Sequence, residues 1–443
     1  MPAPSLTPEY VESKPEEKVS VFAVTKDHAD SLSKDIATMY EAALGAGGIG
    51  QEGAEAYPDS DLFSAAGVKA TLLAEERMIA VAKHNDQIVG AMVADRLSPF
   101  HIEHNSMAVR RDCRRLRIGS ALVDGLKDIV DATPLTINST ELVTHSLASQ
   151  AAHFQAGFRN IVGFAFCHYP SVFFVGHPES VLWVTRFQGK LVSVIKQIRS
   201  TLGRKLGNSA SDVVQSIISA QAQGSIKLAE GRLSEAHLQL VAEALQHRTA
   251  YVPHAYAEIV QSILFQFEDL LDRSVKSKFF QRVDNQAAED IDSEIDPNAQ
   301  FTVDCKDGYG HSYIVYHPGF KFNGVALSDT IKALKAKDKR YILVRVPANE
   351  PEALPTIDHL RALGFVFHSY LPLYGYKLEN ELHQFHDIIT LQWIAPQIVA
   401  TNALPGETDS VIKVHGYPEN LSGPLIKLIG AELRSKEQNH AGK

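Results

Sequence analysis

Apolar positions along the chain fall into short alternating runs and longer runs of helical period. Val19–Thr25 alternates as a strand does, and Asp27–Leu44 carries Leu32, Ile36, Met39, Tyr40 and Ala43 on one helical face. Gly45–Gly50 closes that helix and opens a flexible loop through Pro58. Met78–Lys83 and Gln87–Leu97 read as a hairpin joined by His84-Asn85-Asp86. Phe100–Val109 is the next strand, and Leu122, Leu126, Ile129 and Val130 mark a helix behind it. Thr136–Val143, Ile161–His168 and Val181–Phe187 are further strands, with a short helix at Ser149–Ala156. The predicted order over 19–190 is β-α-β-β-β-α-β-α-β-β.

Residues 190–230 give no firm pattern. Ser234–His247 reads as a helix with Ser234 as N-cap, and Tyr256–Leu271 as a second with Ile259, Ile263, Phe267 and Leu270 on one face. Residues 284–297 are strongly acidic and end at Pro297, the composition of a solvated linker. From Phe301 the pattern begins again: strands at 301–305 and 311–317, a helix at 328–337, a strand at Tyr341–Val346, a helix at 353–363, and strands at 365–371 and 387–394. Leu363-Gly364-Phe365 echoes Ala156-Gly157-Phe158, each after a short helix. One amphipathic helix lies near Pro424–Arg434.

Composition narrows the class. With 443 residues, 45% of them hydrophobic and 21% charged, the chain is of globular type and long enough for two or three domains. A net charge of −9 argues against a general nucleic-acid binder, so an arginine cluster at 110–117 is a local feature. Three scattered cysteines without metal spacing fit a reducing compartment and give no metal site. No apolar run reaches membrane-spanning length and the first residues have no signal-peptide core, so the expectation is a cytoplasmic protein.

The stretch Met107-Ala-Val-Arg-Arg-Asp-Cys-Arg-Arg-Leu-Arg-Ile-Gly-Ser-Ala-Leu122 carries the chemistry. A strand end, a cationic turn and a helix start together form an anion site, since free N–H groups and the positive end of the helix dipole point the same way. The other reading is an exposed basic turn before an amphipathic helix.

The order Arg114-Arg115-Leu116-Arg117-Ile118-Gly119 resembles the R/Q-x-x-G-x-G/A loop of the GNAT acetyltransferases, with Arg117 where the family has its first glycine. Ser120-Ala121-Leu122 continue in the family's style, and Gly157-Phe158 stands where it has a common Gly-Phe. The order of elements in 19–190 matches the family throughout. The run Glu141–Gln150 and the segment through Leu391-Gln392 also look like a bacterial subgroup of two-part GNAT proteins. The resemblance implies an α/β (α+β) protein with tandem GNAT-like domains, each a mixed central sheet flanked by helices. On that reading 1–18 is a disordered tail, 19–190 the N-acetyltransferase domain, 191–283 a helical connector, 284–298 an acidic linker, 299–395 a degenerate GNAT-like domain without its own CoA loop, and 396–443 a tail with one helix.

The resemblance implies acetyl-CoA as cosubstrate and no metal. Arg114, Arg115, Leu116, Arg117, Ile118, Gly119, Ser120 and Ala121 would hold its pyrophosphate, and the backbone of Met107, Ala108 and Val109 its pantetheine arm. The acceptor would be an amine of a small molecule or a protein, with no nucleic acid or membrane involved and a homodimer left open. Removing the proton of an alkylammonium with pKa near 10 at pH 7 costs roughly 4 kcal/mol. Glu103 stands where many GNAT enzymes carry a glutamate base, with His101 and His104 as alternatives. By strand alternation His101, Glu103 and Asn105 share one face, and Ile102 and His104 the other. The family's usual tyrosine acid, four residues before the Gly of Gly-Phe, is here His153. Ser146 and Ser149 would meet CoA or cap the helix, and an acyl intermediate on Cys113 is not expected. The alternative to an N-acetyltransferase is a catalytically weak or inactive CoA-binding regulatory or scaffold protein. A third reading is an interaction protein whose second half and linker dock a partner.

Overall fold

A computed structural model describes residues 19–45, 59–74, 76–133, 136–144, 146–169, 178–203, 209–226, 233–278, 301–306, 310–337, 339–379, 382–405, 412, 414 and 416–441. The tail at 1–18, most of the loop at 45–58 and the acidic linker at 284–298 lie outside the described residues. The fold is mixed α/β. Its contacts cluster into two compact units, one within Met1–Glu55, Asp59–Ala94 and Ser106–Ile129, the other within Asp95–Asn105 and Val130–Lys443.

The first unit holds strand β1 (Ser20–Val24), antiparallel to β2 (Arg77–His84), and most of β3 (Gln87–Ser98). Asn85 and Asp86 both have positive φ (50° and 62°), the conformation of a two-residue hairpin turn whose twist matches the strands. The end of β4 (His101–Val109) completes this unit's sheet. The helix Ile118–Asp131 buries Ile118, Leu122, Val123 and Leu126. Two glycines let it sit close: a Cβ on Gly90 would lie 2.9 Å from Leu122, and one on Gly125 2.4 Å from Val21. The helix Ala29–Leu44 follows its apolar stripe, with Ile36, Tyr40 and Ala43 fully buried. A further helix, Ala65–Leu73, capped by the Ser64 side chain, lies in a stretch to which the sequence reading assigned no element. Its residues lack a one-sided apolar stripe, which is why periodicity missed it.

In the second unit neighbouring strands run β4, β5 (Ile137–Val143), β7 (Glu179–Phe187), β6 (Asn160–Tyr169), β13 (Val366–Glu379), β14 (Leu382–Ile394), β12 (Tyr341–Pro347), β11 (His311–Tyr316) and β10 (Phe301–Lys306). This order repeats. β4 is parallel to β5, and β5–β7–β6 are antiparallel; β11 is parallel to β12, and β12–β14–β13 are antiparallel. The registers match too: His101–Ile137–Phe187 in the first set corresponds to His311–Tyr341–Ile394 in the second. Carried along the ladders, Glu103 corresponds to Tyr313, Glu141 to Arg345 and Gly163 to Ser369. The two sets meet where these last equivalents pair, Ser369 opposite Gly163. A Cβ on Gly163 would lie 2.4 Å from the Cβ of Ser369, so only glycine fits there.

A buried amide holds that junction. Gln392 Nε2 donates to the carbonyls of Phe164 (3.0 Å) and Phe367 (2.8 Å), and its Oε1 accepts from the Phe166 amide (3.3 Å). The short helices Leu147–Gln155 and Ala353–Ala362 end alike, at Gly157 (φ 96°) and Gly364 (φ 95°). Phe158 and Phe365 donate back to the carbonyls of His153 and Leu360. That is the glycine-terminated cap whose left-handed residue carries no Cβ penalty, and it explains the repeated Gly-Phe.

The helices Gly189–Leu202 and Ala210–Ala222 fill the stretch in which the sequence showed no pattern. The predicted connector helices are present as Glu235–Leu245 and His254–Phe265. Between and after them run β8 (Arg248–Pro253) and β9 (Arg273–Lys278), a parallel pair that the sequence did not reveal. Arg273 on β9 pairs with the fully buried Asp387 on β14 at 2.8 Å, and Tyr370 and the Leu373 amide donate to the same carboxylate. Burial raises the Asp387 pKa, but the charge and hydrogen bond of Arg273 outweigh it and hold the carboxyl at about 2. Among the described residues no helix is long and apolar enough to cross a membrane.

Two substitutions test the junction by denaturant unfolding. Gly163→Val should cost about 1–3 kcal/mol through overpacking. Gln392→Leu should cost about 3 kcal/mol or more, because it leaves three backbone groups unpaired. Unchanged midpoints for both would remove the pairing as a source of stability.

Candidate active site

β4 enters the first unit with Ser106 at φ 48°, a left-handed residue inside a strand. Tyr40 Oη donates to its carbonyl at 2.6 Å, and its Oγ donates to Asp59, which also pairs with Arg77 at 3.3 Å. These partners fix the strand just before Met107, Ala108 and Val109. The Arg110 amide donates to the Val89 carbonyl, and the Arg110 side chain is held by Asp112 (2.5 Å) and Gln87 (3.2 Å). Arg111–Cys113 forms a single 3-10 turn that buries Cys113; the Cys113 pKa is raised, by burial first.

The next residues turn outward. Arg114, Arg115, Leu116 and Arg117 are exposed, while Ile118 plugs into the core and Gly119, Ser120 and Ala121 stay half-exposed at the helix start. The Arg114 amide donates to Arg111 and the Ala121 amide to Arg117. Between them, the amides of Arg115 through Ser120 donate to no protein acceptor among the described residues. Arg115 (φ 71°) and Arg117 (φ 58°) are both left-handed, a conformation that lets successive N–H groups converge on one side. Arg117 thus has a backbone conformation suited to the glycine it stands for, at a cost of about 1–2 kcal/mol. Gly119 is needed by neither φ nor packing: a Cβ there would meet only the Met107 side chain, 3.9 Å away. Six unpaired amides, a helix N-terminus and three exposed guanidiniums fit a diphosphate.

The corresponding turn of the second strand set does not. Ahead of the helix Gly324–Ala336, Asn323 caps the Ala326 amide at 3.0 Å, and the Gly319 amide already donates to the Glu350 carboxylate at 2.7 Å. A phosphate there would meet filled donors and a like charge.

Within the second unit, Glu103 lies on the face that alternation predicts. The β4–β5 ladder spans His101↔Ile137 to His104↔Thr140 and ends there, while β4 runs on to Val109. Partly accessible polar side chains gather on the Glu103 face: Glu141, Tyr169, Tyr313, Arg345 and Tyr374. Around them His101, Ser139, Trp183 and Gln392 are buried. Tyr169 Oη donates to Glu141 at 2.5 Å. The Arg345 guanidinium lies 5.2 Å from the Tyr374 ring, 5.3 Å from Tyr313 and 5.9 Å from Trp183. Glu103 and Glu141 act on it through space, and no carboxylate is within ion-pair distance of it among the described residues. Its Nε is buried without a partner.

The histidines divide. His101 contacts Ser139 Oγ at 2.8 Å, and burial, helped by the Arg345 charge, lowers its pKa to about 3. His104 lies on the opposite face, against Phe158, and burial holds its pKa well below the usual histidine range. His153 is buried and packs on Phe158 from that same side. Burial lowers its pKa to about 4, only partly offset by the 2.9 Å contact with the Ser149 carbonyl. That contact requires the proton on Nδ1, leaving Nε2 an acceptor. The fold therefore gathers the loop residues, and separately gathers Glu103 with Arg345, Glu141 and the tyrosines; it does not bring His153 to Glu103. Arg345 was the residue to notice in the sequence: a single cation in the apolar strand Tyr-Ile-Leu-Val-Arg-Val.

A strand leading through an unpaired-amide turn into a helix, within a mixed sheet, is the arrangement of a nucleotide-type anion binder. A family model described as the acetyltransferase (GNAT) family matches residues 39–158. Residues 39–158 thus carry a domain of GNAT type. No curated protein matches it. Similar solved structures include the ribosomal-protein-S18-alanine N-acetyltransferase from Escherichia coli (13% identity, 39% of this chain and 94% of that one, TM-score 0.30). A phosphinothricin acetyltransferase from Sinorhizobium meliloti in complex with AcCoA is 15% identical, over 39% of this chain and 89% of that one, at TM-score 0.31. An aminoglycoside 6'-N-acetyltransferase complexed with coenzyme A is 18% identical, over 38% and 96%, at TM-score 0.28.

Gly119→Ala should leave folding and CoA affinity nearly unchanged, whereas Gly119→Glu, which sets a carboxylate against the amides, should abolish CoA binding in calorimetry. Undiminished affinity in Gly119→Glu would move the site elsewhere. Arg117→Gly should raise stability by up to about 1 kcal/mol by relieving the left-handed residue; a clear loss of stability would contradict the strain.

Proposed function

We propose that the chain is an acetyl-CoA-dependent N-acetyltransferase acting on an amine by direct attack. The observation that carries the reading is the run of unpaired amides from Arg115 to Ser120 at a helix N-terminus. Bound there, acetyl-CoA would supply the activated acyl group. Arg114–Ala121 would grip the diphosphate, and Met107, Ala108 and Val109 would offer strand edge to the pantetheine arm. Glu103 would accept the acceptor's proton, directly or through water, as the amine attacks. The acceptor is an amine of a small molecule or of a protein. We read 299–395 as a degenerate GNAT-like half without a second CoA, a reading supported by the Asn323 cap and the Glu350 carboxylate in its turn.

The second reading, a CoA-binding regulator with little turnover, has one observation in its favour. His153, at the family's acid position, is a buried neutral imidazole with no proton at Nε2 to give. Thiol release from acetyl-CoA over a panel of amines separates the two: acceptor-dependent release supports the enzyme, and tight CoA binding without release supports the regulator. For the enzyme, Glu103→Gln should lower kcat/KM by about 10²–10⁴-fold near neutral pH. The deficit should shrink as pH rises toward the amine pKa, with CoA affinity kept. An unaltered pH–rate profile removes Glu103 as the base.

A further inference from the structure

Arg345 has no obvious reason to be where it is. It lies on β12, at the register position that corresponds to Glu141 in the first strand set. Its guanidinium is bounded by the rings of Trp183, Tyr313 and Tyr374, whose faces attract a cation but satisfy none of its N–H donors. Among the described residues its Nε is buried and unpartnered. An enclosed cation with spare donors is costly unless an anion completes it. Glu141 does not do so, because Tyr169 holds it, and burial pushes its pKa up, toward the neutral form.

We infer that Arg345 is the receptor for a carboxylate on the acceptor, so that the substrate class is amines that also carry a carboxylate, as amino acids do. The fork of a guanidinium matches the two oxygens of a planar carboxylate. A phosphate fits less well, because Glu103 acts on the same group and a second negative charge would be repelled. A zwitterion matches both ends: Arg345 takes its carboxylate, and Glu103, on the same sheet face, is the acidic group for its ammonium. The inference rests on the transferase reading for the role of Glu103, while the carboxylate contact stands by itself.

The test is calorimetry on the full-length protein with each proteinogenic amino acid and the matching carboxamide, and with inorganic phosphate, in the presence and absence of acetyl-CoA. At least one free acid is expected to bind roughly tenfold or more tightly than its carboxamide. Arg345→Gln should erase that difference and Arg345→Lys restore part of it, with acetyl-CoA affinity unchanged in both. The wild-type comparison needs no variant to fold. Equal affinity for acids and carboxamides, tighter binding of phosphate, no acid bound under either condition, or a preference that survives Arg345→Gln overturns the inference. Loss of acetyl-CoA binding with the acid preference intact would sink the transferase reading and leave the carboxylate receptor standing.

Discussion

Backbone amides at the head of Ile118–Asp131 have no acceptor in the chain, and a helix cannot supply one to its own first turn. Elsewhere the protein meets this constraint with side chains: Ser64, Ser209, Ser234 and Asn323 each cap a helix. Here the preceding residues carry positive charge instead, and two of them take left-handed conformations that turn the amides further outward. In the proposed reading an anionic ligand is the partner of this turn. Stability given up at Arg115 and Arg117 would then be recovered when that ligand binds.

The second strand set shows what the same architecture becomes when that demand is absent. Strand order, register and the glycine-capped helix are retained, but the turn fills its own donors. What this half contributes lies on the sheet face, where Arg345 and Tyr313 replace the equivalents of Glu141 and Glu103. Pairing of Gly163 with Ser369 joins the two sets into one sheet, so that residues more than two hundred positions apart in sequence share one sheet face. Carboxylates come from one half and the cation from the other, which gives that face a polarity that neither set has alone.

Much of this was legible in the sequence. Alternation located most of the strands and placed Glu103 opposite His104, and the Leu-Gly-Phe echo pointed to the repeat. The helix Ala65–Leu73 escaped because it lacks an apolar stripe, and β8 and β9 because a short parallel pair shows no alternation distinct from its surroundings. The basic loop was visible as chemistry, but its two left-handed arginines were not, since only glycine announces that conformation in a sequence. His153 occupied a family position in the linear order, yet burial against Phe158 decides its protonation, and burial is a tertiary property. Arg345 reads as an oddity in an apolar run until the ladder shows what lies across the face from it.

Amide hydrogen exchange, with and without acetyl-CoA, tests the anion cradle most directly. The account predicts fast exchange at Arg115–Ser120 in the free protein and strong protection confined to those amides and the Met107–Val109 strand edge once acetyl-CoA is added. Protection already present without ligand, or acetyl-CoA binding that leaves these amides unprotected, would contradict it.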